Sequence, residues 1–359
     1  MAVNALAVLA FALFISQSSA CVQVYGDRNE AAKAVGGHYT YSYNGQDWSS
    51  DFPMCRGQKQ SPVFLPSAGA AARELQAPAA KATFSYGKVT NPAIVNNGHT
   101  LQVVLPADFQ SDVRIPVKGD TSTATGTSVV AKNSKNNAEG ISFVKATPAQ
   151  FHFHTRSEHI VAGTVYPMEM HIVHFIKSDQ LPACGDPGCP VVLGLLIALT
   201  NDESKVSPTL RRIINAMPLN EGENNTISGS INIDSLLPSK RTYLTYEPAG
   251  NRCTALTLHM HACVLLLAGI LWNVLTTPKY ISQKLFTRYL QAVGSYDCPS
   301  NTTEAAATTQ PGMPAGGSST GNGDFKLPPA DAEGCVKLAD GHNYRDAQPL
   351  AGRSILLAA

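Results

Sequence analysis

Short β-rich runs separated by turn-forming residues fill most of this chain and constrain its fold more than any other feature. Between about Tyr39 and Tyr289, runs of branched and aromatic residues alternate with clusters of Gly, Pro, Asn and Asp. The runs are Ala93–Val95, Leu101–Leu105, Gln150–His154, Met168–Phe175, Val191–Leu199 and Ile270–Leu275. This pattern predicts a mainly antiparallel β-protein with few helices. The best helix candidate is Ser207–Ala216, where apolar residues follow a Ser-Pro start at helical spacing.

Composition and charge narrow the classes of function. The 27 basic and 26 acidic residues give a formal net charge of +1, and no long run of like charge occurs. A nucleic-acid partner is therefore not supported. Apolar residues make up 44% of the chain and charged residues 15%, which is typical of a compact globular protein with a sizeable core.

The first 20 residues are typical of a secretory signal peptide. An apolar block from Ala5 to Ile15 is followed by small residues, which predicts cleavage before Cys21. The block is too short to span a bilayer, and a buried N-terminal helix is the alternative. Eight cysteines and two glycosylation sequons, at Asn224 and Asn301, fit a secreted, disulfide-bonded glycoprotein.

Two of the predicted strands carry a candidate metal site. In Gln150–His154, strand alternation puts His152 and His154 on one face, about 6.6–7 Å apart. His171 follows Glu169 on the same face of the next run, 17 positions beyond His154, which is enough to return on an antiparallel neighbour. Three histidines with an open fourth position are typical of a catalytic zinc site. Gln150 and Glu169 can each accept the free ring N–H of a ligand histidine.

The other histidines are not predicted to bind metal. An isolated histidine on a strand is more often structural, and we assign that role to His159, His174 and His342. The pair His259 and His261 also has strand spacing, but it has no obvious acidic neighbour and no third histidine.

Several sequence blocks together carry a family resemblance. They are Cys55–Val63 (CRGQKQSPV), Val95–Thr100 (VNNGHT), Gln150–His159, Glu169–His174 and Asn343–Leu350 (NYRDAQPL). With these blocks the chain resembles the α-class carbonic anhydrases, most closely the secreted or periplasmic enzymes of green algae. The resemblance covers nearly the whole chain.

The resemblance implies a fold and a domain organisation. The fold class is mainly β, a single domain on a large, mostly antiparallel twisted sheet with a few short surface helices. The expected boundaries are a signal peptide at 1–20, the main part of the domain at 21–298, a low-complexity insert at 299–334 and a C-terminal segment completing the same domain at 335–359. Algal relatives are processed in such an insert, and a Cys298–Cys335 bridge would then link the pieces. Disulfide-linked chains and an oligomer both remain open.

The resemblance also implies the reaction, which is the reversible hydration of carbon dioxide to bicarbonate and a proton. Zinc on His152, His154 and His171 would hold a hydroxide that attacks carbon dioxide. His99 matches the histidine that passes the proton to solvent. Glu158 matches the carboxylate that orients the family's gatekeeper threonine.

Further positions match groups that support the site. Those that would orient the ligand histidines are Gln150, Glu169 and the backbone carbonyl of Asn343. Those that would wall a dry substrate pocket are Val173, Val192 and Trp272. Carbon dioxide and bicarbonate are the implied partners, with no stable membrane span. The implied location is secreted, periplasmic or at the cell surface.

One segment departs from the family pattern. Residues 248–269 stand where family members carry the loop with the gatekeeper threonine, and they contain no Thr-Thr-Pro-Pro. The expected cysteine partner of Cys55 is displaced too, which leaves Cys253 or Cys263. The alternative interpretation is therefore a catalytically weak or inactive relative that serves as a binding protein. The intact set of three histidines favours the enzyme.

Overall fold

The computed structural model describes residues 41–75, 80–118, 141–184, 188–246, 270–293, 296–297, 336–337 and 342–358, apart from residues 42, 52, 58, 98 and 221. The strands are β1 Phe64–Leu65, β2 Thr83–Ser85, β3 Lys88–Thr90, β4 Ala93–Asn96, β5 Leu101–Val104, β6 Asp112–Lys118, β7 Ile141–Lys145, β8 Thr147–His154, β9 Ile160–Val161, β10 Met168–Ile176, β11 Cys189–Thr200, β12 Asn224–Thr226, β13 Ser230–Asn232, β14 Tyr243–Tyr246, β15 Leu271–Ser282, β16 Tyr296–Asp297, β17 Val336–Lys337 and β18 Ile355–Ala358. The α-helices are α1 Trp48–Asp51, α2 Ala68–Glu74, α3 Pro208–Ala216 and α4 Gln283–Ala292. Short 3₁₀ turns span Pro53–Arg56, Pro182–Cys184, Glu203–Lys205 and Ile233–Leu236.

A nine-stranded sheet organises the described part of the chain, in the order β12-β4-β5-β8-β10-β11-β15-β14-β18. Its neighbouring strands are antiparallel, except that β11 and β15 run parallel. The predicted fold class is confirmed: the protein is mainly β, on a large and mostly antiparallel sheet with few helices. The parallel pair requires a long crossover, and the chain between β11 and β15 supplies it.

Strand alternation divides the apolar side chains between the two faces of the sheet. Phe151 and Phe153 enter the larger hydrophobic cluster, which also takes in Ile172. Val173 belongs to the second cluster, together with Tyr246. All nine residues of β10 are buried, as expected for a central strand covered on both faces.

The predicted helix at 207–216 forms as α3. It begins at Pro208, whose missing N–H costs nothing in the first turn. Leu210, Ile213 and Ile214 are buried, so the apolar stripe read from the sequence is the packed face. Helix α4 packs against it, and Nε of Arg288 donates to the carbonyl of Ile214 at 3.1 Å.

The C-terminal segment packs into the same sheet as the rest of the domain. Strand β18 pairs with β14, with Leu357 opposite Leu244. The backbone N–H of Gln348 donates to the carbonyl of Pro62 at 2.7 Å, and Arg353 donates to the carbonyl of Gln60 at 2.5 Å. These contacts support the proposal that residues 335–359 complete the domain.

Three cysteines among the described residues form disulfide bonds. Cys184 and Cys189 are bridged, with Cα atoms 4.9 Å apart, and this pairing was not predicted. Cys55 is disulfide-bonded as well. Cys253 and Cys263, its expected partners, lie outside the described residues.

A covalent link across the insert is the first testable prediction. Cys298 and Cys335 lie outside the described residues, but β16 and β17 pair antiparallel with Asp297 opposite Val336. We predict that Cys298 and Cys335, the residues that follow and precede these two pairs along the chain, form a disulfide. We expect that, after proteolysis within 299–334, the two fragments migrate together on a non-reducing gel and separate with reductant. A Cys298→Ser variant is the control, and separation of the parent fragments without reductant would contradict the bridge.

His174 is a buried neutral histidine on β10. Its Nδ1 lies 2.9 Å from the carbonyl of Val191, which can only accept, so Nδ1 carries the proton. Nε2 then accepts from the hydroxyl of Tyr86 at 2.9 Å, and the Tyr86 ring stacks on the imidazole. Burial lowers the pKa of His174 to about 4, because no water solvates the charged form.

The second prediction concerns acid stability. The unfolded chain binds a proton at His174 near its ordinary pKa, whereas the folded chain does so only near pH 4. Stability therefore falls as pH drops from about 6.5 towards 4, by about 3 kcal/mol from this residue. Urea unfolding of metal-free protein across this range should show that the free energy of unfolding falls less steeply with pH in His174→Gln than in the parent. An equal pH dependence in the two proteins would overturn the assignment of His174 as a buried neutral histidine.

Candidate metal centre

Strands β8 and β10 bring three histidines to one point on the sheet. The strands pair antiparallel, with His171 opposite His152 and Glu169 opposite His154. The three side chains are buried, and one ring nitrogen from each lies within 4.8 Å of the others. The structure therefore brings the predicted ligand residues close together: His152, His154 and His171.

Each of these rings is oriented by one hydrogen bond to an oxygen. Nδ1 of His152 lies 2.9 Å from Oε1 of Gln150, and Nε2 of His171 lies 2.9 Å from Oε1 of Glu169. The acceptors hold the ring proton on their own side, which leaves the lone pair of the opposite nitrogen facing the shared space. The predicted partners Gln150 and Glu169 are thus in place.

Asn343 orients the third ligand and reaches it from far along the chain. Its backbone oxygen accepts from Nδ1 of His154 at 2.7 Å, and the two residues are 189 positions apart. Its side chain accepts from the N–H of Thr155 at 2.7 Å and donates to the carbonyl of His99 at 2.8 Å. These bonds fix the carbonyl in the position that the family resemblance implied.

The donor set fits a divalent metal ion. Nε2 of His154 is buried and has no hydrogen-bond partner among the described residues. The nearby Oε2 of Glu158 is 3.7 Å away, beyond hydrogen-bond distance. Burial lowers the pKa of His154, which keeps the ring in its neutral, ligating form. A cation bound by the three imidazoles would satisfy this orphaned lone pair.

Glu169 is the most densely bonded carboxylate of the site. Its Oε1 lies 2.7 Å from Nδ1 of His159, and its Oε2 accepts from the N–H of His159 at 2.8 Å. Burial alone would raise the pKa of Glu169, but His159, His171 and their hydrogen bonds hold it well below its usual value. His159, Glu169 and His171 also form a group that could hold a metal. Both imidazoles lie at hydrogen-bond distance from Oε1 of Glu169, so a proton rather than a metal ion lies between each ring and the carboxylate.

Sequence reasoning missed the residues that support Glu169. The hydroxyl of Tyr246 lies 2.8 Å from Nε2 of His159 and 3.3 Å from Oγ of Ser61. Gly194 lies opposite His171 on β11, where an added Cβ would stand only 3.0 Å from Oε1 of Glu169. The SEH and QSP blocks contain His159 and Ser61, but nothing in their local pattern points to these contacts.

Glu158 lies at the edge of the histidine group. Its Oε1 accepts from the backbone N–H of Arg345 at 2.9 Å. Its Oε2 is 3.7 Å from Nε2 of His154 and 3.9 Å from Nδ1 of His171. Within the described part of the chain, no hydroxyl group hydrogen-bonds to Glu158. Its role in orienting a threonine stays a prediction.

His99 is tied to the site through its backbone. Its carbonyl accepts from the Asn343 amide, and its ring lies 6.5 Å from that of Tyr41. The residue is buried, with 3% of its surface exposed. Its role as a proton shuttle stays a prediction.

The three predicted pocket residues are neighbours on adjacent strands. Val173 on β10 lies opposite Val192 on β11, which in turn lies opposite Trp272 on β15. All three belong to one hydrophobic cluster, and the Trp272 ring centroid is 4.8 Å from that of His171. An apolar wall therefore borders the histidines on this side.

The fold and site together define a β-sheet protein with a buried three-histidine centre. The sequence model of the eukaryotic-type carbonic anhydrases matches residues 43–296. The chain therefore belongs to this family of lyases and is an enzyme by class.

Relatives with curated names agree with this assignment. The carbonic anhydrase of Neisseria gonorrhoeae is 29% identical over 273 residues, which span 74% of this chain and 85% of the relative. Human carbonic anhydrase 7 is 28% identical over 268 residues, which span 70% of this chain and 86% of the relative.

Solved structures show the same fold. The α-carbonic anhydrase of Thermovibrio ammonificans in complex with sulfanilamide superposes with a TM-score of 0.54 at 22% identity, covering 89% of this chain and 98% of that one. A carbonic anhydrase of Chlamydomonas reinhardtii in complex with acetazolamide superposes with a TM-score of 0.50 at 20% identity, covering 85% and 92%. A green-algal protein is thus among several neighbours from different sources.

Proposed function

We propose that this chain is a zinc enzyme that catalyses the reversible hydration of carbon dioxide to bicarbonate and a proton. The observation that carries the proposal is the convergence of three buried imidazole nitrogens, one of them without any hydrogen-bond partner among the described residues. Membership of the carbonic anhydrase family supports the reaction. Zinc held there would activate water for attack on carbon dioxide.

The residues around the histidines have distinct tasks in this proposal. Gln150, Glu169 and Asn343 hold the three rings so that their lone pairs meet. The wall of Val173, Val192 and Trp272 excludes water from the side where a nonpolar substrate would lie. The released proton leaves through His99, because an imidazole can both accept and donate a proton.

The second candidate is a relative that keeps the metal but turns over slowly. One observation from the sequence favours it, and it concerns Glu158, whose Oε2 lies 3.7 Å from Nε2 of His154 and 3.9 Å from Nδ1 of His171. Residues 248–269 lack the threonine motif that would normally use this carboxylate. Losing such a positioning contact costs about 100-fold in rate.

The proposed location is outside the cell membrane, in the periplasm, at the surface or in the medium. The signal-like segment 1–20 and the eight cysteines support this proposal. Asn224 is exposed on edge strand β12, where a glycan would meet no obstruction from the sheet. No helix among the described residues is long and apolar enough to cross a membrane. We further propose the green-algal secreted type as the subgroup.

The deciding experiment measures zinc content and the initial rate of carbon dioxide hydration on the same preparation, expressed through a secretory route. About one zinc per chain with fast, sulfonamide-sensitive turnover would establish the enzyme. Removing the metal with a chelator should abolish turnover, and added zinc should restore it. One zinc with negligible turnover would establish the second candidate instead, and absence of zinc would overturn both.

A further inference from the structure

A second cleft lies beside the histidine centre and shares none of its three ligands. Its volume is about 500 Å³, within the range typical of sites for small organic ligands. Its lining includes Thr155, Arg156, His342 and Tyr344, together with Phe286 and Leu290 of α4. We call it the α4 cleft.

The chemistry of the α4 cleft is that of a site for an organic anion. The Arg156 guanidinium lies 5.1 Å from the centre of the Tyr344 ring and makes no ion pair within the part of the chain that the structure describes. None of the described side chains that line the cleft is acidic. An arginine held over an aromatic ring keeps its planar set of N–H donors available for a carboxylate.

The walls favour a flat apolar body next to that anion. Phe286 and Leu290 of α4 line the cleft, as does Tyr344, and all three are half-buried. Aromatic and aliphatic side chains that line a cleft suit a planar hydrocarbon group, which they desolvate and pack against. A bare inorganic anion would leave most of the 500 Å³ to water.

The cleft is also connected to the histidine centre. Thr155 follows ligand residue His154, and Tyr344 follows Asn343, whose carbonyl orients that ligand. Asn343 and Thr155 are joined by bonds of 2.6 and 2.7 Å. An occupant of the cleft would therefore contact the segments that hold one ligand in place, from outside the reaction space.

We propose that the α4 cleft is a second binding site, separate from the histidine centre, that takes a small organic carboxylate with a planar apolar body. Arg156 binds the carboxylate, and Tyr344, Phe286 and Leu290 enclose the apolar body. The proposal goes beyond carbon dioxide hydration and does not depend on it.

The test uses 2-naphthoate as the probe, titrated calorimetrically into the full chain with a saturating sulfonamide present. We expect binding to persist under these conditions, because the cleft contains none of the three histidines at which the sulfonamide would bind. Arg156→Gln should weaken binding by about tenfold or more, since it removes a charged hydrogen-bond partner. Leu290→Trp should abolish binding by filling the cleft. The exposed residue Arg114 gives the matched control, and Arg114→Gln should bind like the parent.

Four results would overturn the proposal. They are competition between naphthoate and the sulfonamide, equal binding by the parent and Arg156→Gln, absence of binding at millimolar naphthoate, and parent-like binding by a folded Leu290→Trp variant. If the chain binds no zinc, the titration is run without sulfonamide. Naphthoate binding then still reports on the cleft, so failure of the proposed function and failure of this proposal remain distinct.

Discussion

Replacing His154 with alanine should remove the bound metal and the carbon dioxide hydration activity together. The substitution deletes one of three ligand nitrogens, and it leaves the Asn343 carbonyl without its donor. Altering a residue that merely orients a ligand typically costs 10–100-fold in metal affinity, so we expect loss of a ligand to cost more than about 100-fold. The readouts are zinc retained after dialysis against a competing chelator and the initial hydration rate.

A second histidine substitution controls for general damage. His342 is half-buried and lies outside the ligand group, with Nε2 3.1 Å from the carbonyl of Tyr41. His342→Gln should keep its zinc. If His154→Ala also kept a full zinc complement at the same chelator concentration, the assignment of the metal centre would be wrong.

Replacing Glu169 with glutamine should weaken both the fold and the metal site. Glu169 is fully buried and accepts from the backbone and ring of His159 and from the ring of His171. A glutamine amide of the same shape brings N–H groups towards those donors and removes the negative charge. Breaking a buried charged network in this way costs about 3–5 kcal/mol. Metal affinity should fall about 10–100-fold, because the His171 ring loses its orienting carboxylate.

The pH dependence gives this prediction a further readout. The pKa of Glu169 is held well below its usual value in the folded protein, so its stabilising effect is present above the unfolded pKa and is lost as pH falls below it. The free energy of unfolding of metal-free Glu169→Gln should lack that part of the acid dependence. Urea unfolding from pH 7 to pH 3 measures it.

The matched control for Glu169 is an exposed glutamate. Glu203 pairs with Arg211 at the surface, with half of its side chain exposed, so Glu203→Gln should leave the free energy of unfolding close to that of the parent. If Glu169→Gln unfolded at the same urea concentration as the parent and held zinc equally well, the buried network would have no such role.

The parts of the site that lie within single strands could be predicted from the sequence. A period of two places His152, His154 and Gln150 on one face of β8, and it does the same for Glu169 and His171 on β10. The short interval between these strands then favours antiparallel pairing. Local spacing was therefore enough to propose the three ligands and two of their partners.

Contacts between distant segments could not be derived from local pattern. Tyr246 reaches His159 across 87 positions, and the need for Gly194 arises only when β11 packs beside β10. The role of the Asn343 carbonyl was predicted through family resemblance alone, because every residue type has a backbone carbonyl and residue identity therefore does not reveal its use. Helix α4 was not predicted, although Leu285, Tyr289 and Ala292 form its buried stripe. The parallel pairing of β11 with β15 likewise depends on the whole sheet.

The bond between the Asn343 carbonyl and His154 also bears on the time at which the site can form during synthesis. Strands β8 and β10 leave the ribosome long before residue 343, and until then one ligand ring has no partner to set its tautomer. A nascent chain released early would carry all three ligands but only two oriented ones. Tight zinc capture should therefore wait for synthesis of residue 343, and truncated chains ending before it should load zinc poorly.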